Sequence, residues 1–242
     1  MALGLCFPAA FLTSCVNDDN FNATAPIENQ SFTEEFDTVG NAYARGWKVK
    51  NTSTPMVPLL WQQGGDVIPF FQAYSSNGSN EGFVGINAII NAPAIGVLSS
   101  WLISPVVTMQ NGDTISFYTR SKYEDEGNFG GTAGVLNDFG NRVQLRLNTN
   151  NDGTEVGIGL ENGDFTTPLL DINPSYNANL AANTPAQNAT AFPANWTKYQ
   201  AVVYGLTEPV SGRFALRYLI EDGNLFGSGI GIDKVEYKSV SK

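Results

Sequence analysis

The sequence predicts an all-β protein, folded as a single β-sandwich of jelly-roll type. Three observations lead there. Short segments alternate apolar and polar residues, Gly, Asn, Asp and Pro punctuate them, and helical periodicity is scarce. The chain has 242 residues. Setting aside an N-terminal segment, the remainder is a common size for one all-β domain and large enough to bury a core without disulfides.

Leu12-Thr13-Ser14-Cys15 closes the apolar run Ala2–Phe11 in the pattern of a bacterial lipobox. An aliphatic residue and two small residues precede the Cys that becomes the acylated N-terminus. Residues 1–15 therefore predict a lipoprotein signal peptide, with Cys15 as the site of lipidation. The run is shorter than the roughly 20 apolar residues a membrane-spanning helix needs, and it lacks the Lys or Arg of an ordinary signal n-region. Asn17-Asp18-Asp19-Asn20 and the polar stretch to Asn29 predict a flexible tether over 16–30. The domain is expected over 31–242.

Within it, Thr114–Arg120 sets Ile115 and Phe117 against Ser116, Tyr118 and Arg120. Arg142–Leu147 sets Val143, Leu145 and Leu147 against Arg142, Gln144 and Arg146. Tyr199–Tyr204 and Arg213–Ile220 read as two further strands. Gly205–Gly212 between them, with Pro209 and Ser211-Gly212, reads as a hairpin connection. Ile230–Tyr237 predicts the last strand. Asn111-Gly112-Asp113 and Asn151-Asp152-Gly153 are turn signals. Tyr123–Gly140 and Asn173–Ala194 read as long loops at an end of the sandwich, the usual place for ligand contacts. Trp47, after Gly46, and Trp101, in a segment stopped by Pro105, read as core.

Composition excludes several chemistries. The chain has no His, and its two Cys are at 6 and 15, one removed with the signal and one acylated. Thiol nucleophiles, Cys- or His-ligated metals and a Ser-His-Asp triad are therefore absent from the predicted mature domain. A net charge of −10 makes nucleic acid and other polyanions poor partners. Carboxylates alone can hydrolyse glycosides, and Glu124-Asp125-Glu126 is the cluster such an enzyme would use. It lies in a Gly-rich stretch with no strand pattern to aim it, so a solvated acidic loop is the plainer reading. Asn148–Gly153 superficially matches the start of an EF-hand, but Asn stands at the first ligand position and Gly159 at the twelfth, which favours a hairpin turn.

Several pieces in order resemble one family. They are Ser31–Asp37 (SFTEEFD), Arg45-Gly46-Trp47, Trp61-Gln62-Gln63-Gly64, Trp101–Pro105, Asn111–Phe117 and Ile230–Tyr237. Together they resemble the choice-of-anchor J domain, a relative of the cleaved-adhesin and MAM-type jelly rolls. The resemblance implies a secreted or surface-anchored jelly roll with no agreed enzymatic activity, here tied by its lipid to the outer membrane or cell surface. It also implies a structural Ca²⁺ between an acidic first strand and an Asp of the last. The matching residues are Glu35, Asp37 and Asp233. Lys234 departs from the Asp or Asn of many relatives, and a salt bridge or hydrogen-bonded Asp233 is the plainer reading.

Trp61, Tyr74, Tyr123 and Trp196 lie in less regular contexts. They are candidate stacking platforms for a sugar ring, although burial in the core is the plainer reading of each. The expectation is a lipid-anchored, non-catalytic binding module, adhesin-like or glycan-capturing, with a glycan or surface protein as partner. The alternatives are a structural envelope lipoprotein without soluble ligand and a carboxylate-based glycoside hydrolase.

Overall fold

The computed structural model describes residues 27–65, 71–75, 77, 79–88 and 96–240. The lipobox with Cys15, and most of the tether expected over 16–30, lie outside the described residues. In chain order the strands are β1 (Phe32–Glu34), β2 (Lys48–Asn51), β3 (Gln62–Gln63), β4 (Val84–Asn87), β5 (Leu98–Ile103), β6 (Val107–Met109) and β7 (Thr114–Ser121). There follow β8 (Glu124–Asp125), β9 (Leu136–Asn137), β10 (Val143–Asn148), β11 (Thr167–Ile172), β12 (Thr197–Val202), β13 (Val210–Ile220) and β14 (Gly229–Lys238). One short helix, α1 (Val39–Ala44), separates β1 from β2. Helix makes up 6% and strand 38%, against about a third helix in ordinary globular proteins.

All of these strands but β8 and β9, which pair with each other, form two antiparallel sheets packed as a sandwich. The first has the order β12-β7-β14-β4-β3, with β1 also on β14. The second has the order β11-β10-β13-β5-β2, with β6 also on β13. First and last strands are neighbours, Phe32 opposite Tyr237 and Glu34 opposite Val235. The period-two pattern sorts the faces as the sequence predicts. Ile115 and Phe117 of β7, Val143, Leu145 and Leu147 of β10, and Ile230, Ile232, Val235 and Tyr237 of β14 all lie in one core between the sheets. Trp47 is a core residue too, edge-on to Phe32, Phe36 and Phe214 at 6.4, 5.1 and 5.9 Å between ring centroids.

Three expectations need correction. Gly205–Gly212 is not a hairpin connection. β12 pairs with β7 in the first sheet while β13 lies in the second, so the segment crosses between sheets. Pro and Gly mark a change of direction, but they do not say which strands will pair. The Asn148–Gly153 turn is only the first corner of a longer connection. β10 and β11 do pair, yet 149–166 run over the outer face of the second sheet before β11 begins. Tyr123–Gly140 is not a plain loop either, because β8 and β9 pair within it.

The covering segment 149–166 explains why the polar side of β10 is buried. Val156 and Phe165 from it pack on Trp101, Ile103 and Ala215 as a second apolar cluster, so Trp101 is buried outside the main core. Arg217 lies beneath, 1% exposed, its guanidinium 4.5 Å from the Trp101 ring centroid. It donates to Ser99 Oγ, Asn162 Oδ1 and the Gly159 carbonyl. Arg146 donates to the Phe165 and Thr166 carbonyls, fastening the other end of the segment.

Candidate functional site

β12, β7 and β14 lie side by side in the first sheet, and strand geometry sends alternate residues of each to the outer face. Register then places Tyr118 between Lys198 and Asp233, and Arg120 opposite Gly231. The β7–β14 ladder shifts between Asp233 and Glu236, with Lys234 at φ 47°. This is a β-bulge, which re-aims the side chains beside it.

Asp233 is wholly buried. It accepts the Tyr74 and Ser75 backbone N–H groups at 2.9 Å each, the Ser75 hydroxyl at 2.9 Å and its neighbour Lys234 N–H at 2.7 Å. The carboxylate thus clamps residues 74–75 onto the sheet. Burial pushes its carboxyl up to about 6, against the downward pull of these donors.

The clamped Tyr74 stacks on Tyr118, with 3.7 Å between centroids and 16° between planes, and stays 43% exposed. Lys198 Nζ lies 5.9 Å from the Tyr118 ring and 3.1 Å from Glu236. Lys234 and Glu35 form an ion pair at 3.7 Å. On the same face, Phe71, Phe83 and Trp196 make an aromatic cluster with centroids 5.1 to 5.7 Å apart, and Arg120 lies 4.3 Å over Phe71. The Trp196 indole N–H donates to the Gln72 carbonyl at 2.8 Å.

Gly231 makes this cluster possible. A Cβ there would lie 2.8 Å from both the Phe71 and Trp196 rings. Gly231→Ala is therefore expected to cost about 1–3 kcal/mol through overpacking and to red-shift Trp196 emission as the ring is displaced. Urea unfolding followed by fluorescence reads both, and an unchanged midpoint and spectrum would disprove the close approach.

Of the four expected platforms, Tyr74 and Trp196 share this face, Tyr74 exposed and Trp196 half-buried. Trp61 corrects the expectation, since it is 2% exposed and part of the main core. Tyr123 is half-buried, its hydroxyl donating to Asn179 Oδ1 at 2.7 Å. Tyr118 was not among the candidates, although an aromatic on the polar side of a clean alternation was its signal. The residues expected around Ca²⁺ take other partners. β1 stops at Glu34 and Phe36 turns the chain at φ 52°, so Glu35 meets Lys234 while Asp37 is exposed. Among the described residues no group of three His, Cys, Asp or Glu is placed to hold a metal ion. The carboxylates of Glu124–Glu126 are also engaged. Glu124 pairs with Lys122 at 2.8 Å, Asp125 accepts the Gly127 and Gly134 N–H groups, and Glu126 accepts the Asn137 amide.

No family model matches the chain, and no curated protein matches it. Solved structures do. The K1 cleaved adhesin domain of Lys-gingipain from Porphyromonas gingivalis W83 aligns with a TM-score of 0.54 at 16% identity, over 87% of this chain and 98% of that one. The K2 cleaved adhesin domain of Lys-gingipain aligns at 0.51 and 16%, over 87% and 99%. At such identities the likeness establishes the fold: this chain is built on the β-sandwich of the cleaved adhesin domains.

Proposed function

We propose that the chain is a non-catalytic binding module displayed at the cell surface, and that the outer face of the first sheet captures a glycan. The Tyr74–Tyr118 stack carries this reading. Tyr74 is exposed, yet its backbone is fixed by a buried carboxylate, so the ring is held in place before any ligand arrives. A rigid aromatic face suits the apolar side of a sugar ring, and Lys198, Lys234 and Glu35 supply polar groups nearby. The lack of His and of thiols after Cys15, with Glu124–Glu126 engaged in local structure, favours binding over hydrolysis. Kinship with the choice-of-anchor J domains and anchoring through Cys15 belong to the same reading. They rest on the ordered sequence pieces and the lipobox.

A glycan array probed with the Cys15→Ser chain tests it. Wild-type-like binding is expected to fall on the order of tenfold in Tyr74→Ala, one contact of about 1.4 kcal/mol. No bound glycan would leave the structural envelope reading. Binding that vanishes with a chelator would restore Ca²⁺ at Glu35, Asp37 and Asp233. Detergent partitioning of the native gene product against Cys15→Ser tests the anchor separately.

A further inference from the structure

We propose that the glycan taken by the outer face of the first sheet is acidic, and that Arg120 receives the carboxylate of one sugar residue while its neighbour lies on Tyr74. The inference rests on the glycan reading above and adds the ligand's charge to it. Residues 71–75 run along β7, Phe71 against Arg120 and Tyr74 against Tyr118. Tyr118 and Arg120 are two positions apart on one side of the strand, about 7 Å. Two linked sugars span that distance.

The cations around Tyr74 differ in what they already hold. Lys198 and Lys238 pair with Glu236, and Lys234 pairs with Glu35. Arg120 joins none of the ion pairs among the described residues. Its contact is with the Phe71 ring, 4.3 Å from the centroid. That contact uses the flat face of the guanidinium, whereas its N–H groups lie in the plane and point outwards from the edge. Nε is enclosed and unbonded, out of a ligand's reach. The two Nη groups are also without an acceptor among the described residues, but they are not closed off from solvent, and the residue stays half-buried. Burial lowers the Arg120 pKa, and the Tyr123 hydroxyl rather than any carboxylate opposes the fall. Arg142 shows the same group satisfied, its Nε and Nη2 donating to the two oxygens of Asp171 at 2.8 and 2.7 Å. Arg120 has no such partner within the chain, and its open Nη end suits a two-bond fork with a carboxylate. A sugar hydroxyl could accept one of these bonds, but it leaves the charge uncompensated. The Tyr74 hydroxyl is also within electrostatic reach of Lys198 and Lys234. An anion therefore meets cations here, in a chain of net charge −10. That overall charge still repels a densely sulfated polymer, so a sugar bearing a single carboxylate is the better match.

The test prints glycans containing uronic or sialic acid beside the same glycans with their carboxyl groups reduced to alcohols. Each pair differs in charge and keeps its stereochemistry. The full chain carrying Cys15→Ser is expected to bind the acidic member at least about tenfold more tightly, the worth of a charge-assisted bond. Arg120→Gln is expected to bring the two members level, and Arg120→Lys, with the charge but not the fork, to fall between. Tyr74→Ala is expected to weaken both members alike. If Arg120→Gln fails to fold, Arg120→Lys and the decline of the wild-type preference with rising salt carry the test. Equal binding of both members, still dependent on Tyr74, overturns the acidic ligand and leaves glycan capture standing. A preference that survives in Arg120→Gln overturns the role of Arg120. Tighter binding of sulfated glycans overturns the carboxylate, and no bound glycan overturns both readings.

Discussion

Asp233→Ala is expected to release residues 74–75 from the first sheet, weaken the proposed glycan capture about as much as Tyr74→Ala, on the order of tenfold, and cost about 2–4 kcal/mol of stability. The variant leaves the Tyr74, Ser75 and Lys234 N–H groups and the Ser75 hydroxyl without their acceptor. The loss is smaller than the sum of those bonds, because a detached segment can bond to water. Tyr74 then no longer holds its place over Tyr118. Hydrogen exchange at the Ser75 amide, urea unfolding and the glycan array read the three effects.

The penalty also has a pH signature. Burial raises the folded carboxyl from 3.8 to about 6. Between those values the folded protein holds a proton that the unfolded chain releases. The contribution of Asp233 is therefore full below about pH 4 and declines as pH rises through 6. Asp138, raised to about 6 chiefly by burial, has the same sign but is present in both proteins and cancels in the difference. Asp233→Ala should thus be more damaging at pH 4 than at pH 7. A penalty that grows towards pH 7 would mean that the N–H donors outweigh burial.

Arg217→Ala is the second large effect, about 3–5 kcal/mol. It opens a cavity over Trp101 and strands Asn162 Oδ1 and the Gly159 carbonyl, while Ser99 Oγ keeps the Trp101 indole N–H. The side chain has no carboxylate partner among the described ion pairs, and burial, with Arg146 and Arg142 nearby, lowers it to about 10. It stays in place because a carbonyl, an amide, a hydroxyl and an aromatic face surround it. Residues 149–166 should become more protease-sensitive, since the hold on Gly159 and Asn162 is lost while Arg146, the Gly159 N–H to the Thr52 carbonyl and the packing of Val156 and Phe165 remain. Arg217→Lys should not rescue, because an ammonium lacks the planar face that stacks on Trp101. A fall in stability below about 1 kcal/mol would show that the segment is held without it.

The face of the sandwich that carries the core was legible because one buried side imposes period two on β7, β10, β13 and β14. What covers the other side was not. Arg142, Gln144 and Arg146 form the polar side of the β10 alternation, but 149–166 and the Asp171 and Glu221 carboxylates bury them. Pairing was legible for β1 with β14 through the family likeness, and illegible for β12, whose partner β7 lies far back in the chain. The site divides in the same way. Tyr118 and Asp233 could be placed on strands. That Asp233 fixes Tyr74, 159 positions earlier, depends on a bulge that leaves no mark in the alternation. Trp61 shows the converse. Irregular surroundings left Trp61 open between platform and core, and a tryptophan beside a short edge strand does reach the core.

The shortness of β1 sets how the domain bears a load. It meets β14 at Phe32–Tyr237, Thr33–Glu236 and Glu34–Val235, reinforced by the ion pair of Glu34 with Arg45. Tension arriving at Ser31 is carried by this seam before any longer ladder feels it. When the seam tears, Phe32 leaves its stacks with Phe214 and Tyr237, at 6.4 and 5.9 Å. The β7–β14 ladder bearing Tyr118 and Asp233 stays zipped. Under the proposed anchoring, a pull at Ser31 therefore opens this short seam first, and the domain lengthens while the face bearing Tyr74 and Tyr118 keeps its shape.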